Sequence, residues 1–268
     1  MRSIAIVNQK GGSGKTTTAV NLAAALGEKG RRVLVIDLDP QASATGWYGV
    51  KDAGRGLLEV FTDGRDLASL VQKTEAPGVS IVPSSSWLVG IEKALAGEVG
   101  VETLLRKRTR DLDAGKWDYM LIDCPPTLGT LTVNALTAVQ EVLVPVEAHV
   151  LALNGLRDLL ETVSAVKERL HPPLRMAGIL ACRVDARTRH ALEVVEQLRE
   201  RFLHLVYRTI IRENVRLAEC PSFGVPITQY DMNSHGAEDY RSLAGDVLRQ
   251  EVERKEKERR SQHGTPKA

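Results

Sequence analysis

The sequence predicts an α/β fold, a single mostly parallel twisted sheet with helices on both faces. Three observations carry that expectation. Short runs rich in Val and Ile alternate with longer amphipathic stretches along the whole chain. Several runs are apolar at every successive position, as strands covered on both sides must be. The apolar set is aliphatic, with aromatic residues at only 4%, which suits helices packed flat on a sheet. At 268 residues, with 43% hydrophobic and 26% charged, the chain can enclose a substantial core. No repeat or linker divides it. One domain is expected over residues 1–250, with a charged helix end and flexible tail over 251–268.

The elements follow in order. Strands are expected at Ser3–Asn8, Val33–Leu38, Val79–Pro83, Tyr119–Asp123, Glu141–Val146, Met176–Cys182 and Leu205–Ile210. Thr16–Leu26 reads as a helix directly after the first strand. Leu156, Leu159, Leu160, Val163, Val166 and Leu170 make one apolar stripe at helical spacing; Leu192, Val195, Leu198 and Phe202 make another. The stretch from Arg241 to Arg260 reads as a last helix. Within it, Glu251–Arg260 mixes Glu with Lys and Arg and offers no apolar residue except Val252, so a solvated end is expected, fraying into Ser261–Ala268.

Between the first strand and its helix lies Gln9-Lys10-Gly11-Gly12-Ser13-Gly14-Lys15-Thr16. Glycines let backbone N–H groups turn inward around phosphate oxygens, and the helix N-terminus adds partial positive charge. In this setting Lys15 reaches the β- and γ-phosphates and the Thr16 hydroxyl ligates Mg²⁺. Gln9 stands where the common phosphate loop has a glycine, and Lys10 is an additional lysine at the loop entrance.

Two further segments end strands with acids. Val33–Asp39 closes on Asp37 and Asp39 before Pro40, and Tyr119–Asp123 closes on Asp123 before Cys124-Pro125-Pro126. In a parallel sheet, ligands bind beyond the carboxyl ends of the strands, which would set these carboxylates beside the phosphate loop. Mg²⁺ is usually held by one or two carboxylates, waters and substrate phosphates.

The Lys-Gly-Gly-Ser-Gly-Lys-Thr run resembles the deviant Walker A loop of the ParA/MinD family of P-loop ATPases. The segments Gly178–Thr188, Ile211–Ser222, Gly224–Ile227 and Ser234–Tyr240 narrow the resemblance to ParA/Soj-type partition ATPases, over nearly the whole chain. The resemblance implies a cytoplasmic, nucleoid-associated ATPase using ATP and Mg²⁺. ATP would join two copies into a nucleotide-sandwich dimer that binds double-stranded DNA without sequence preference. Slow hydrolysis would be stimulated by a ParB-like centromere-binding partner. By the same resemblance Lys10 reaches the partner's phosphates, and Gly11, Gly12, Ser13, Gly14, Lys15, Thr16 and Thr17 hold the nucleotide. Arg212 and Asn214 approach the adenine. Asp39 orients the attacking water. Asp123 is the Walker B acid, and Thr16, Asp39 and Asp123 form the metal set. Arg183, Arg187, Arg189, Arg212 and Arg216 are the expected DNA contacts.

Charge and composition bound the alternatives. A net charge of +2 does not by itself predict nucleic-acid binding, and any basic surface must come from arrangement. Eight arginines against five acids between Arg183 and Arg216 are a modest excess. A MinD-like membrane anchor needs bulky apolar residues on a C-terminal helix, which Glu251–Ala268 lacks. Metabolic enzymes share the fold, and the extra Lys10 separates this chain from most of them. Cys124, Cys182 and Cys220 form no CxxC or zinc pattern and read as reduced thiols. Met1-Arg2 leads straight into a strand, so neither a signal peptide nor an operator-reading N-terminal extension is expected.

Overall fold

The computed structural model describes residues 1–50, 54–112, 115–149 and 152–263. Among these residues seven strands form one sheet: β1 (Arg2–Ile6), β2 (Val33–Asp37), β3 (Gln72–Lys73), β4 (Val79–Val82), β5 (Tyr119–Asp123), β6 (Glu141–Glu147) and β7 (Arg175–Cys182). Their order is β3-β4-β2-β5-β1-β6-β7, and every neighbouring pair is parallel except β3 with β4. The strands alternate their loads between the two faces, as a period of two requires. Ala5 and Val7 join one core with Leu34 and Ile36; Ile4 and Ile6 join the other with Val33 and Val35. The first core is closed by the helices Thr130–Ala138, Ala152–Arg169 and Arg189–Phe202. The second is closed by Lys15–Glu28 and by His235–His263. Helices therefore cover both faces, as the sequence predicts.

Two strand assignments differ from expectation. Leu205–Ile210 runs along β7, with Tyr207 donating its N–H to Ile179 O and Ile211 to Ala181 O, but it makes only isolated bridges at Val206 and Arg212. The aromatic ring of Tyr207 lies against Gly178, where a Cβ would sit 2.6 Å from it, while the segment's N–H groups still reach β7. β3 carries no apolar pattern that could announce it; it is a two-residue antiparallel edge.

The C-terminal helix is held beyond residue 250. The Tyr119 hydroxyl is hydrogen-bonded to Glu251, and Arg254 donates to Glu141 at 2.5 Å. Glu141 also pairs with Arg2 and Arg175, tying this helix to β1, β6 and β7. The expected solvated end thus begins after these anchors. The helix continues to His263, and the expected tail over 264–268 lies outside the described residues. Among the described residues no helix is long and apolar enough to cross a membrane.

Candidate nucleotide site

The site forms where β1, β2 and β5 release their carboxyl ends. Register decides it: Ile6 pairs with Asp123, and Asp37 pairs with Asp123 from the other side. The loop that follows β1 therefore opens onto both acids. Gly12 and Gly14 adopt φ of +74° and +93°, a region that side chains other than glycine enter at a cost. A Cβ on Gly11 or Gly12 would meet no atom within 4 Å, so the loop leaves room beside its backbone. Gly14 caps the Lys15–Glu28 helix without any side-chain hydrogen bond, leaving the first helical N–H groups directed into the loop.

Lys15 is buried and folds back so that its Nζ donates to the Lys10 carbonyl at 3.1 Å. Burial lowers its pKa, while Asp123 and Asp39 oppose that shift. The Asp37 carboxylate accepts from the N–H and hydroxyl of Thr45 and from the N–H of Asp39. Desolvation still pushes its pKa up to about 6. Asp39, nearly buried, accepts the Gln41 N–H at 2.9 Å, and its carbonyl takes the Ser84 hydroxyl at 2.7 Å.

Asp123 is fully buried and neither carboxylate oxygen makes a hydrogen bond of ordinary geometry. Desolvation first, and Asp37 second, hold its pKa well above the usual carboxylate range; the nearby Thr16 hydroxyl and Lys15 pull it back. The Ser13 hydroxyl is also buried and unpartnered. Buried polar atoms are almost always satisfied, so three orphaned oxygens around one loop point to a ligand that completes them. A triphosphate with a divalent cation fits this donor set: hydroxyls and a carboxylate for the cation, glycine N–H groups and a lysine for the phosphates. Among the described residues no group of three or more His, Cys, Asp or Glu is placed to hold a metal, so phosphate oxygens and waters would have to complete its shell.

Lys10, at the loop entrance, is half exposed and its Nζ lies 2.6 Å from Glu147 at the end of β6. The structure therefore gathers Lys10, Gly11 to Thr16, Asp39 and Asp123 at one end of the sheet. Thr17 lies in the first turn of the following helix.

The arginine set divides. Arg183, Arg187, Arg189 and Arg216 are exposed, and the bridge between Val184 and Arg212 brings their two segments side by side. Arg187 is paired with Asp185 and Arg216 with Glu219, both as solvent-exposed ion pairs that separate at little cost. Arg212 is placed differently from these four. It is three-quarters covered and gives its guanidinium to Asp239 and Glu238. Asn214 caps the Val215–Phe223 helix by accepting the Arg216 N–H.

Two residues escaped sequence reasoning. Asn8 donates to Pro145 O at 2.6 Å and accepts the Lys10 N–H, which fixes the loop entrance to β6. Glu147 is an acid at the carboxyl end of a parallel strand, so the rule that found Asp39 and Asp123 applies to it as well.

Comparison with known proteins places this geometry. Residues 1–176 match the family model described as an AAA domain. The chain is 43% identical to the sporulation initiation inhibitor protein Soj of Bacillus subtilis, over 91% of this chain and 97% of that protein. The chain belongs to the Soj/ParA family of chromosome-partitioning ATPases. The family likeness extends to the chromosome-partitioning ATPase Soj of Thermus thermophilus, at 46% identity over 92% of this chain and 96% of that one. The fold is also that of a cobyrinic acid a,c-diamide synthase from Mycobacterium smegmatis, solved with a bound ATP analogue and magnesium. There the TM-score is 0.82 and the identity 35%, over 93% of this chain and 94% of the other. The Soj/ParA loop with its additional Lys10 is thus seated on a P-loop ATPase sheet.

Proposed function

We propose that this chain is a nucleotide-switched ATPase that positions DNA. The observation that carries the reading is the set of orphaned oxygens on Ser13 and Asp123 beside Lys15, at the end of β1 and β5. Thr16 and Asp123 would hold Mg²⁺, which when bound would neutralise phosphate charge. Lys15 and the loop N–H groups bind and orient the phosphates. Asp39 orients the attacking water. Lys10 supplies to the second subunit's phosphates the positive charge that other P-loop ATPases take from an arginine. Hydrolysis would then depend on an ATP-bound homodimer.

DNA enters through Arg183, Arg187, Arg189 and Arg216, all exposed near one another. Contacts of guanidinium with phosphate carry affinity and no sequence information, which fits non-specific double-stranded DNA and a nucleoid-associated protein. A ParB-like partner would stimulate hydrolysis and release the chain from DNA. The names of the Soj and ParA relatives support this reading.

Light scattering with ATP and Mg²⁺ tests it, using Asp39→Ala to slow hydrolysis and Lys10→Ala as the control. An ATP-dependent dimer that binds duplex DNA, lost in Lys10→Ala, is the expected result. A protein that stays monomeric with ATP would overturn the role given to Lys10. The second reading is a metabolic P-loop enzyme, favoured by the likeness to the cobyrinic acid a,c-diamide synthase. A dimer that ignores DNA would favour it.

A further inference from the structure

Lys10 is secured at three points. Its N–H donates to Asn8 Oδ1 at 3.0 Å, its carbonyl accepts from Lys15 Nζ, and its own Nζ meets Glu147 Oε2 at 2.6 Å. Glu147 ends β6 directly opposite Cys182 of β7. The residue after Cys182 is Arg183, whose φ of +52° is unusual for a side chain other than glycine and costs on the order of 1 kcal/mol. Its Nη1 lies 3.4 Å from Glu147 Oε1. One carboxylate thus holds two cations, one on each oxygen. The hydrogen bond from Lys10 is the main cause that holds the Glu147 carboxyl below its usual pKa, with Arg183 adding to it.

This arrangement conflicts with a lysine that must reach another subunit. While Lys10 pairs with Glu147 it points at its own β6. On leaving, it would strand a carboxylate whose side chain is only 24% exposed. Arg183, already on the second oxygen, keeps that carboxylate paired.

We propose that Glu147 is a positioning residue that parks Lys10 within its own subunit and passes to Arg183 when Lys10 crosses to the partner's phosphates. This rests on the cross-subunit role given to Lys10 above. Glu147 then sets the threshold for ATP-dependent dimerisation, and Arg183 lowers the cost of crossing it.

The two side chains should act in opposite directions. Glu147→Gln frees Lys10 in both subunits. An exposed ion pair contributes about 0.2–1 kcal/mol, so two released pairs should tighten the dimer by about two- to thirtyfold. Arg183→Gln removes the relief and should weaken the dimer. In a Glu147→Gln background, Arg183→Gln should change nothing.

The experiment measures the dimer dissociation constant by analytical ultracentrifugation, with a non-hydrolysable ATP analogue and Mg²⁺ and without DNA. Binding of a fluorescent analogue to dilute monomer is followed alongside. A merely structural role would weaken the dimer in both variants and disturb monomer binding too. Opposite shifts with unchanged monomer binding are expected. A Glu147→Gln dimer no tighter than the wild type, or an Arg183→Gln dimer no weaker, would overturn the proposal while leaving Lys10's role intact. A wild type that stays monomeric would instead remove the reading of Lys10, and this inference with it.

Discussion

Asp37 and Asp123 stand opposite each other in register on the neighbouring strands β2 and β5, each wholly shielded from solvent. Two carboxylates so placed cannot both ionise cheaply, and both have pKa values raised by burial and by each other or by Asp39. Asp37 has three hydrogen-bond donors to offset this, and Asp123 has none of ordinary geometry. The unrelieved one is the acid expected to meet the cation.

A pH dependence of stability follows. A carboxyl whose folded pKa is raised binds more protons folded than unfolded, so unfolding free energy falls as pH rises through that window. For Asp37 the window runs from the ordinary value of 3.8 to about 6. Asp123 extends the trend to higher pH. Glu141 works the other way, its pKa lowered below 4.5, and acts only below that value. Urea denaturation of the nucleotide-free protein should therefore show stability decreasing between about pH 5 and 6.5. A flat or rising profile there would contradict the burial of this pair.

Replacing the unrelieved acid should separate stability from ligand response. Asp123→Asn removes a buried charge that lacks partners, so the nucleotide-free protein should melt higher above pH 6 than the wild type. The same variant should lose the additional rise in melting temperature that Mg²⁺ produces with ATP, while keeping most of the rise due to nucleotide alone. An Asp123→Asn protein with an intact Mg²⁺ response would remove Asp123 from the metal set.

The arginines make a contrasting pair. Arg216 is exposed, and in Arg216→Ala the slope of log affinity for DNA against log salt should flatten by about one unit. Arg212 is committed to Asp239 and Glu238, anchoring the segment after β7 to the start of the C-terminal helix. Arg212→Ala should leave Asp239, only 8% exposed in its side chain, with the residue-212 N–H but no guanidinium, and cost about 2–4 kcal/mol. Its salt slope should stay near the wild-type value once refolded fractions are matched. A flattened slope in Arg212→Ala would restore it to the DNA surface.

These contrasts also show what the sequence makes legible. The phosphate loop, Asp39 and Asp123 could be read because glycine backbone, lysine and strand-end acids each have local chemistry at fixed spacing. The strands β1, β2, β5, β6 and β7 could be read because burial on both faces demands continuous apolar runs. The pairing of Arg212 could not be read, since its partners lie 26 and 27 residues away on another helix. Glu147 satisfies the strand-end rule, but its pairing could not be read: that depends on Lys10, 137 residues earlier, arriving beside β6 through the Asn8 contact with Pro145. Leu205–Ile210 has a strand's composition, yet it meets β7 only through isolated bridges and a few backbone hydrogen bonds.

Glycines in two helices should respond to alanine with opposite signs. Gly245 lies inside the C-terminal helix, where an added Cβ meets only the end of Arg249 at 4.0 Å. Gly245→Ala should stabilise by about 0.5–1 kcal/mol through reduced freedom of the unfolded chain. Gly27, near the end of the helix that follows the phosphate loop, looks equivalent in sequence. An added Cβ there would lie 2.0 Å from the Pro77 carbonyl oxygen, which is backbone and has no rotamer to change. The approach is fixed on the other side as well, because Gly78 O accepts the Val33 N–H at 2.8 Å at the start of β2. Accommodating the methyl group would shift either this loop or the helix, so Gly27→Ala should destabilise by about 1–3 kcal/mol. Urea midpoints of the two variants, measured at one pH without nucleotide, give the comparison. Equal gains in both would mean that the Lys15–Glu28 helix does not end against the Pro77 loop.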